Sequence, residues 1–200
     1  MIKAVKLDKK QVVEIVTESF SNNPSVLSVI KPGSAKQEQK RIAGLAEYAF
    51  NTAFKRNGVV LSSDRQGVAI CYPYHVQKNT FKDYWNQLVL AFKVIGVSRI
   101  LTIMRRDNYV KRQRPKDGRY LYFWFLGVKS DGIGKSAVRE LRDSVYKESH
   151  LKKLPIYLET SVEKNRVVYE RFGFEVYHAW DNTKEGNTIW FMKRDPEELS

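Results

Sequence analysis

The ten residues from Arg119 to Val128, RYLYFWFLGV, constrain the fold of this chain more than any other segment. They are almost all aromatic or aliphatic, which predicts a buried β-strand. A turn that contains Gly132 and Gly134 follows at once, and apolar residues then recur at helical spacing from about Ile133 to Ser149. A buried strand that feeds a helix in this way predicts a sheet with helices packed on its faces.

The other segments alternate between strand and helix patterns. In chain order they predict a strand at 2–7, a helix from Asp8 to near Asn22, a helix from Ser34 to Asn57, a hairpin that joins 59–63 to 67–74, helices from Thr80 and through Met104, a strand at 155–159, a helix from Thr160 to near Phe172, and a final hairpin with its loop at 181–187. Asp8 with Gln11, and Thr160 with Glu163, form capping-box patterns. Since no linker or low-complexity tract interrupts the chain, we expect one domain over residues 1–200.

Charge and hydropathy limit the possible surroundings and partners of the protein. The formal net charge is +13, and residues 99–119 carry eight basic and two acidic residues. Such an excess attracts nucleic acid, anionic lipid or a polyphosphate cofactor without distinguishing among them. No apolar run approaches the roughly 20 residues that span a bilayer. The N-terminal residues MIKAVKLDKK lack the apolar core of a signal peptide, so we expect a cytoplasmic protein without membrane contacts.

The tripeptide Gly134-Lys135-Ser136 resembles the end of a P-loop, but the spacing excludes one. A P-loop requires glycine five residues before Gly134, where this chain has Lys129. Asp131 would also place a carboxylate beside the phosphates. A helix N-terminus behind glycines nevertheless forms a ready anion site, because its N–H groups are unpaired. A simple strand-to-helix turn explains the same residues equally well.

Two longer stretches, FLGVKSDGIGKSAVREL and LETSVEKNRVVYERFGFEV, resemble the GNAT superfamily of acetyl-CoA-dependent N-acetyltransferases. The matching positions are Leu126–Val128, Lys129–Gly134, Leu158–Thr160, Asn165, Tyr169 and Gly173–Phe174. The segments SFSNNP and PKDGRYLYFWFLGV resemble the branch around puromycin N-acetyltransferase. The sequence departs from the family pattern at Lys129–Asp131, where the lead-in to the glycines is short and lysine stands in place of glutamine or arginine.

The resemblance implies an α+β fold with α/β/α layers, in which helices flank a mixed, mostly antiparallel sheet. It also implies a splayed parallel strand pair near 120–128 and 155–160, with acetyl-CoA lying between the two strands. Residues 1–118 would form the acceptor-side half, and 119–200 the acetyl-CoA-binding core. The implied cofactor-binding residues are Leu126, Gly127, Val128, Lys129, Asp131, Gly132, Ile133, Gly134, Lys135, Ser136 and Asn165. Backbone N–H groups near Leu126–Val128 would hold pantetheine and polarise the thioester carbonyl.

The resemblance also assigns candidate catalytic residues. Tyr169 matches the general acid of the family, although local sequence alone equally suggests packing against Phe172. Glu159 is the candidate general base, and otherwise a charge at the entry to the next helix. Candidate acceptor-binding residues, which could also be core or surface residues, are Tyr72, Tyr74, His75 and Trp124. The histidines and acids show no metal-ligand spacing, so no metal is predicted.

These observations predict an enzyme that acetylates a primary amine, small-molecule or peptide, by direct transfer from acetyl-CoA in a ternary complex. One alternative is a non-catalytic acyl-CoA-binding sensor or interaction domain. The other is a nucleic-acid-binding protein that uses residues 99–119, which is disfavoured because aromatic residues are not interleaved at stacking intervals. We expect a monomer or a homodimer.

Overall fold

The computed structural model describes residues 2–75, 94–96, 99–129, 134–182 and 186–196. The strands are β1 (Ile2–Lys3), β2 (Val59–Leu61), β3 (Gly67–Pro73), β4 (Leu121–Val128), β5 (Ile156–Thr160), β6 (Glu175–Asn182) and β7 (Asn187–Arg194). The described α-helices are α1 (Lys9–Ser19), α2 (Pro24–Val29), α3 (Ala35–Phe54), α4 (Ile100–Arg112), α5 (Gly134–Lys152) and α6 (Glu163–Arg171). None of these helices is long and apolar enough to cross a membrane. The helix predicted from Thr80 lies outside the described residues.

The seven described strands form one sheet in the order β1-β2-β3-β4-β5-β7-β6. Every neighbouring pair is antiparallel except β4 and β5, which are parallel. Their ladder pairs Leu121 with Ile156 and Tyr122 with Tyr157, and no further pair forms although both strands continue. The two strands therefore separate after Tyr122. The mixed sheet and the splayed pair near 120–128 and 155–160 are both confirmed.

Helices cover both faces of the sheet, and each face has its own hydrophobic core. On one face α1, α2 and α3 contribute buried residues such as Ile15, Val26 and Phe50. On the other face α5 contributes Leu141 and Val145 to a second cluster with residues of β4 and β5. This arrangement is the α/β/α layering that the sequence predicts. A cavity that crosses the sheet must therefore pass between the two cores.

A β-bulge in β4 lies at the point where the splay begins. Ile70 of β3 pairs with Phe125, whereas Cys71 pairs with Phe123, so Trp124 is an extra residue in the ladder. As a result Trp124 and Phe125 both pack on the α1–α3 face, and the alternation of the strand is interrupted. The sequence of β4 is apolar throughout and therefore gives no sign of this irregularity.

The structure corrects the predicted capping box at Asp8. The Asp8 carboxylate accepts a hydrogen bond from the Val5 N–H at 2.8 Å, which places it at the end of a 3₁₀ turn, Lys6–Asp8. The Gln11 amide instead donates to the Arg65 carbonyl at 3.0 Å. The predicted strand at 2–7 is correspondingly short. Long-range contacts at these positions override the local pattern.

Two further helix starts also differ from the prediction. Val162, not Thr160, is the N-cap of α6, and the Thr160 hydroxyl accepts a hydrogen bond from the Val162 N–H. The helix predicted from Asp8 to near Asn22 ends at Ser19, and a separate helix, α2, begins after Asn23, whose side chain accepts a hydrogen bond from the Val26 N–H. The predicted start at Ser34 is confirmed, with a capping box between Ser34 and Gln37.

Candidate active site

The separation of β4 and β5 opens a cavity of about 730 Å³ that reaches both faces of the sheet. Its described lining includes side chains from the loop after α1, from α3 and α4, from the middle of β4, from the end of β5, and from α6. Because the cavity crosses the sheet at the splay, two molecules could approach each other from opposite sides. We call the part bounded by β5 and α6 the neutral end, and the part bounded by α3 and α4 the charged end.

The neutral end is lined mainly by apolar residues, with two polar side chains from one face of α6. Phe123 and Leu126 of β4 form one wall, and Leu158 of β5 lies opposite. Asn165 and Tyr169 stand four residues apart on α6, so both project from the same side of the helix into the cavity. The structure thus brings Leu126, Asn165 and Tyr169 together, as the sequence predicts.

Tyr169 lies within an aromatic cluster that fixes its ring. The ring centroid is 6.2 Å from that of Phe123 and 5.6 Å from that of Phe174, both in edge-to-face geometry. Burial raises the pKa of Tyr169 to about 12, because the low-dielectric surroundings disfavour the phenolate. At neutral pH the side chain is therefore a phenol that retains its proton, which is the form required of a proton donor.

Aromatic residues form the wall of the cavity on the α3 side. Tyr72, Tyr74 and Trp124 all line it, as predicted. The Tyr72 ring lies 5.7 Å from that of Tyr122 and 6.3 Å from that of Trp124. His75, by contrast, is exposed beside Gly118 and is absent from the described lining. The structure therefore does not bring His75 to the site.

Glu159 makes a buried ion pair with Arg114, a residue that sequence reasoning did not single out. Arg114 Nε donates to Oε1 at 2.8 Å and Nη2 donates to Oε2 at 2.6 Å, while the two side chains are only 5% and 12% exposed. The guanidinium also lies 3.9 Å from the centroid of the Tyr122 ring. Both carboxylate oxygens are thus held by one partner, an arrangement that differs from the free carboxylate expected of a general base.

Part of the basic segment 99–119 contributes to the cavity, while Arg105, Arg112, Lys116 and Arg119 are exposed and absent from its described lining. Arg106, Lys111 and Arg114 all line the charged end. Lys111 pairs with Asp107 at 2.5 Å. Sequence spacing could not reveal that these side chains line a cavity, because a run of bases on a helix usually indicates a solvated face.

Lys55 and Arg56, which follow α3, also line the charged end and were missed by sequence reasoning. Basic residues are common at helix C-termini, where they favour the negative end of the helix dipole. A Lys-Arg pair at that position therefore carries no particular functional signal in the sequence. Only the fold shows that the pair faces the same cavity as Tyr72.

The predicted phosphate-binding turn is described only in part. Asp131, Gly132 and Ile133 lie outside the described residues, while α5 begins at Gly134 and carries Ser136 exposed in its first turn. The backbone N–H of Lys129 donates to the Gln66 carbonyl at 2.9 Å. Lys135 stands in the first turn of α5, the end of a helix that favours anions.

Gly127 has a packing role in this structure. A Cβ at this position would lie 2.9 Å from the Ser19 hydroxyl oxygen. The same hydroxyl donates to the Val128 carbonyl at 2.8 Å and so ties the end of α1 to β4. Glycine therefore lets α1 approach the strand beside the splay. This close contact accounts for Gly127 without any ligand.

The neutral end suits a pantetheine arm on two grounds. Its walls are apolar at Phe123, Leu126 and Leu158. Beyond Tyr122, β4 has no further ladder pair with β5, so backbone groups along the gap can bind an inserted amide-containing chain. The residues present therefore fit the arm of acetyl-CoA.

Comparisons with known proteins agree with this geometry. No protein-family model matches the sequence. An uncharacterized N-acetyltransferase of Schizosaccharomyces pombe is 26% identical over 205 residues, which cover 95% of this chain and 81% of that protein. A Corynebacterium glutamicum protein described as histone acetyltransferase HPA2 and related acetyltransferase shares the fold with a TM-score of 0.70 at 19% identity, over 100% of this chain and 97% of that one.

Arylalkylamine N-acetyltransferase 2 from Aedes aegypti has a TM-score of 0.65 at 13% identity, over 98% of each chain. At these identities the solved structures establish a shared fold. The match to the Schizosaccharomyces pombe protein extends along almost the whole chain, so the similarity to an N-acetyltransferase is also one of sequence. Together with the splayed β4–β5 pair, these findings support the resemblance to the GNAT superfamily of N-acetyltransferases that the sequence indicates.

Proposed function

We propose that the protein transfers the acetyl group of acetyl-CoA directly to a primary amine, with both molecules bound at once. The observation that carries this proposal is the cavity through the splayed pair β4–β5, which has Tyr169 at one end and an aromatic wall with Tyr72 and Trp124 at the other. Access from both faces suits a ternary complex, because neither molecule has to leave before the other binds.

The neutral end would hold the cofactor, which supplies an acetyl group activated as a thioester. Backbone groups of Leu126–Val128 would bind the pantetheine arm, and the Asn165 amide would add a side-chain hydrogen bond. The first turn of α5 would face the pyrophosphate, with Lys129 and Lys135 as charge partners. Each of these roles follows from the resemblance, and Leu126 and Asn165 line the cavity.

Tyr169 would donate its proton to the departing sulfur. Its pKa of about 12 exceeds the value of about 8.5 that is typical of a thiol in water. The same burial that raises the pKa of the phenol also raises that of a thiol placed beside it, which reduces the mismatch. Proton donation of this kind typically contributes roughly 10²–10⁴-fold to the rate.

Glu159 would orient the acceptor and would not act as a free general base. Both of its oxygens accept hydrogen bonds from Arg114, and the residue lines the cavity. Deprotonation of the amine is favoured by the basic side chains of the charged end, because nearby positive charge lowers the pKa of an ammonium group.

Incubation with acetyl-CoA and a panel of primary amines tests the proposed function. We expect acetylated product and free coenzyme A in equal amounts, with at least one amine, and little of either with Y169F. Binding of acetyl-CoA without product from any amine would contradict the proposal and would favour the alternative of a non-catalytic acyl-CoA-binding protein.

A further inference from the structure

Two half-buried aromatic side chains face the cavity on the α3 side. Tyr48 of α3 and Trp124 of β4 both line it, and both keep part of their surface exposed. Their ring centroids lie 6.1 Å apart, and the ring planes are almost perpendicular, at 87°. We call this pair the aromatic corner. A flat ring that stacked on one of the two side chains would stand perpendicular to the other, and aromatic rings favour both geometries.

The corner is held in place by the packing around it. The Trp124 ring lies 5.9 Å from the centroid of the Tyr122 ring and 5.5 Å from that of Phe125, both on the same strand. Tyr48 stands next to Ala49, which is part of the hydrophobic core beneath α3. Side chains that are already fixed lose little conformational entropy when a ligand binds. The corner is therefore suited to a rigid, flat ligand.

The corner also differs from the rest of the wall in its surroundings. Guanidinium groups lie over the Tyr72 ring, from Arg56 at 4.8 Å, and over the Tyr122 ring, from Arg114 at 3.9 Å. Among the residues that the structure describes, no cation lies over either ring of the corner. An uncharged aromatic ring can therefore stack there without displacing an arginine.

The register of the sheet places the corner across the gap from Glu159. The last ladder pair between β4 and β5 joins Tyr122 to Tyr157, and Trp124 and Glu159 each stand two residues further along their strands. The two residues therefore lie on opposite sides of the gap, and both line the cavity. A ligand with its ring at the corner would extend a short chain across the gap, where the proposed transfer takes place.

We propose that the aromatic corner is an acceptor subsite for primary amines that carry an aromatic ring on a short carbon chain. This inference rests on the proposed function, because it names the class of acceptor. The cavity of about 730 Å³ lies within the roughly 300–1,000 Å³ that is usual for small-molecule sites. The subsite selects aromatic amines over amines of similar size whose body has no flat π-face.

Calorimetric titration with two matched amines tests the subsite. Phenylethylamine and cyclohexylethylamine have the same amine chain and similar size, but only phenylethylamine has a flat π-face. Each is titrated into the protein alone and into the protein with saturating coenzyme A, which carries no acetyl group to transfer. In at least one condition we expect phenylethylamine to bind roughly 2–13-fold more tightly, the effect of an aromatic pair beyond its buried area. Equal binding in both conditions, or no binding of phenylethylamine at millimolar concentration, would overturn the inference.

Variants of the corner locate the preference. W124L should remove it and W124F should keep most of it, because phenylalanine retains a ring at that position. Y48L should weaken it, whereas F54L on the same helix should not, because Phe54 stacks on Phe50 and is absent from the described lining. Thermal melting shows whether each variant is folded; if W124L is not, Y48L is compared with F54L. A preference that survives in W124L and in Y48L would refute the subsite.

The same two amines separate this inference from the proposed function. If phenylethylamine is preferred in the titrations but no amine is acetylated, the aromatic binding site stands and the proposed function fails. If amines are acetylated with equal kcat/KM for phenylethylamine and cyclohexylethylamine, the function stands and the subsite is refuted.

Discussion

The two ends of the cavity differ in chemistry, and the difference separates the reaction from the choice of acceptor. At the neutral end, Tyr169 and Asn165 project from α6 into an apolar gap between β4 and β5. At the charged end, α4 and the residues just after α3 supply basic side chains beside a wall that includes Tyr72 and Tyr74. In the proposed function, acetyl-CoA would bind at the neutral end and the acceptor amine would approach from the charged end.

The largest expected effect contrasts two tyrosines, one from each end. Y169F should lower kcat by roughly 10²–10⁴-fold, because it removes a proton donor, and should leave the Kd of acetyl-CoA nearly unchanged. Y72F removes only the hydroxyl from the aromatic wall and should act mainly on the KM of the amine. Steady-state kinetics with calorimetry of acetyl-CoA binding measure both.

Equal losses of kcat in Y169F and Y72F would contradict the claim that Tyr169 acts in the reaction while Tyr72 acts in binding the amine. An unchanged kcat in Y169F would show that Tyr169 is not the proton donor and that its role is to pack beside Phe123 and Phe174. The two variants are matched, because each deletes one hydroxyl from a ring that lines the same cavity.

The next largest effect concerns the ion pair between Arg114 and Glu159. R114M would leave the Glu159 carboxylate without its partner in a largely buried position, and the free energy of unfolding should fall by about 3–5 kcal/mol. Urea denaturation measures this loss. The exposed pair Lys9–Glu47 is the control, and E47Q should cost only about 0–1 kcal/mol. A similar small loss for R114M would show that the buried pair does not organise the site.

A smaller effect is expected at alkaline pH. Burial raises the pKa of Tyr169 from the ordinary tyrosine value of about 10 to about 12 in the folded protein, so between these pH values the unfolded chain has lost a proton that the folded protein retains. The free energy of unfolding should therefore decrease above pH 10, by up to about 1.4 kcal/mol per pH unit for each such group. In Y169F the decrease should be shallower, as measured by urea denaturation from pH 8 to pH 11. An identical slope in Y169F would place this phenol in a hydrated environment.

The neutral end could be predicted from the sequence, because its signals are local. The strand before Gly132, the helix after Gly134 and the spacing from Asn165 to Tyr169 occupy one continuous stretch of the chain. The predicted elements agree with β4, α5, β5 and α6 in the structure. The resemblance to the puromycin N-acetyltransferase branch remains a prediction.

The charged end could not be predicted in the same way, because its geometry depends on contacts that are distant in sequence. Arg114 and Glu159 are 45 residues apart, and an arginine before a proline gives no sign of a buried partner. The bulge at Trp124 depends on its register with β3. Arg56 becomes part of the site only because α3 packs its C-terminal end beside Tyr72.

Hydrogen–deuterium exchange with and without saturating acetyl-CoA tests the central claim most directly. The account predicts slower exchange for backbone amides at 123–128 in β4 and at 158–160 in β5, because a ligand in the gap would bind or cover them. Amides of β6, at the far edge of the sheet, should exchange at an unchanged rate. Unchanged exchange along β4 and β5 at saturating acetyl-CoA would contradict the proposed site.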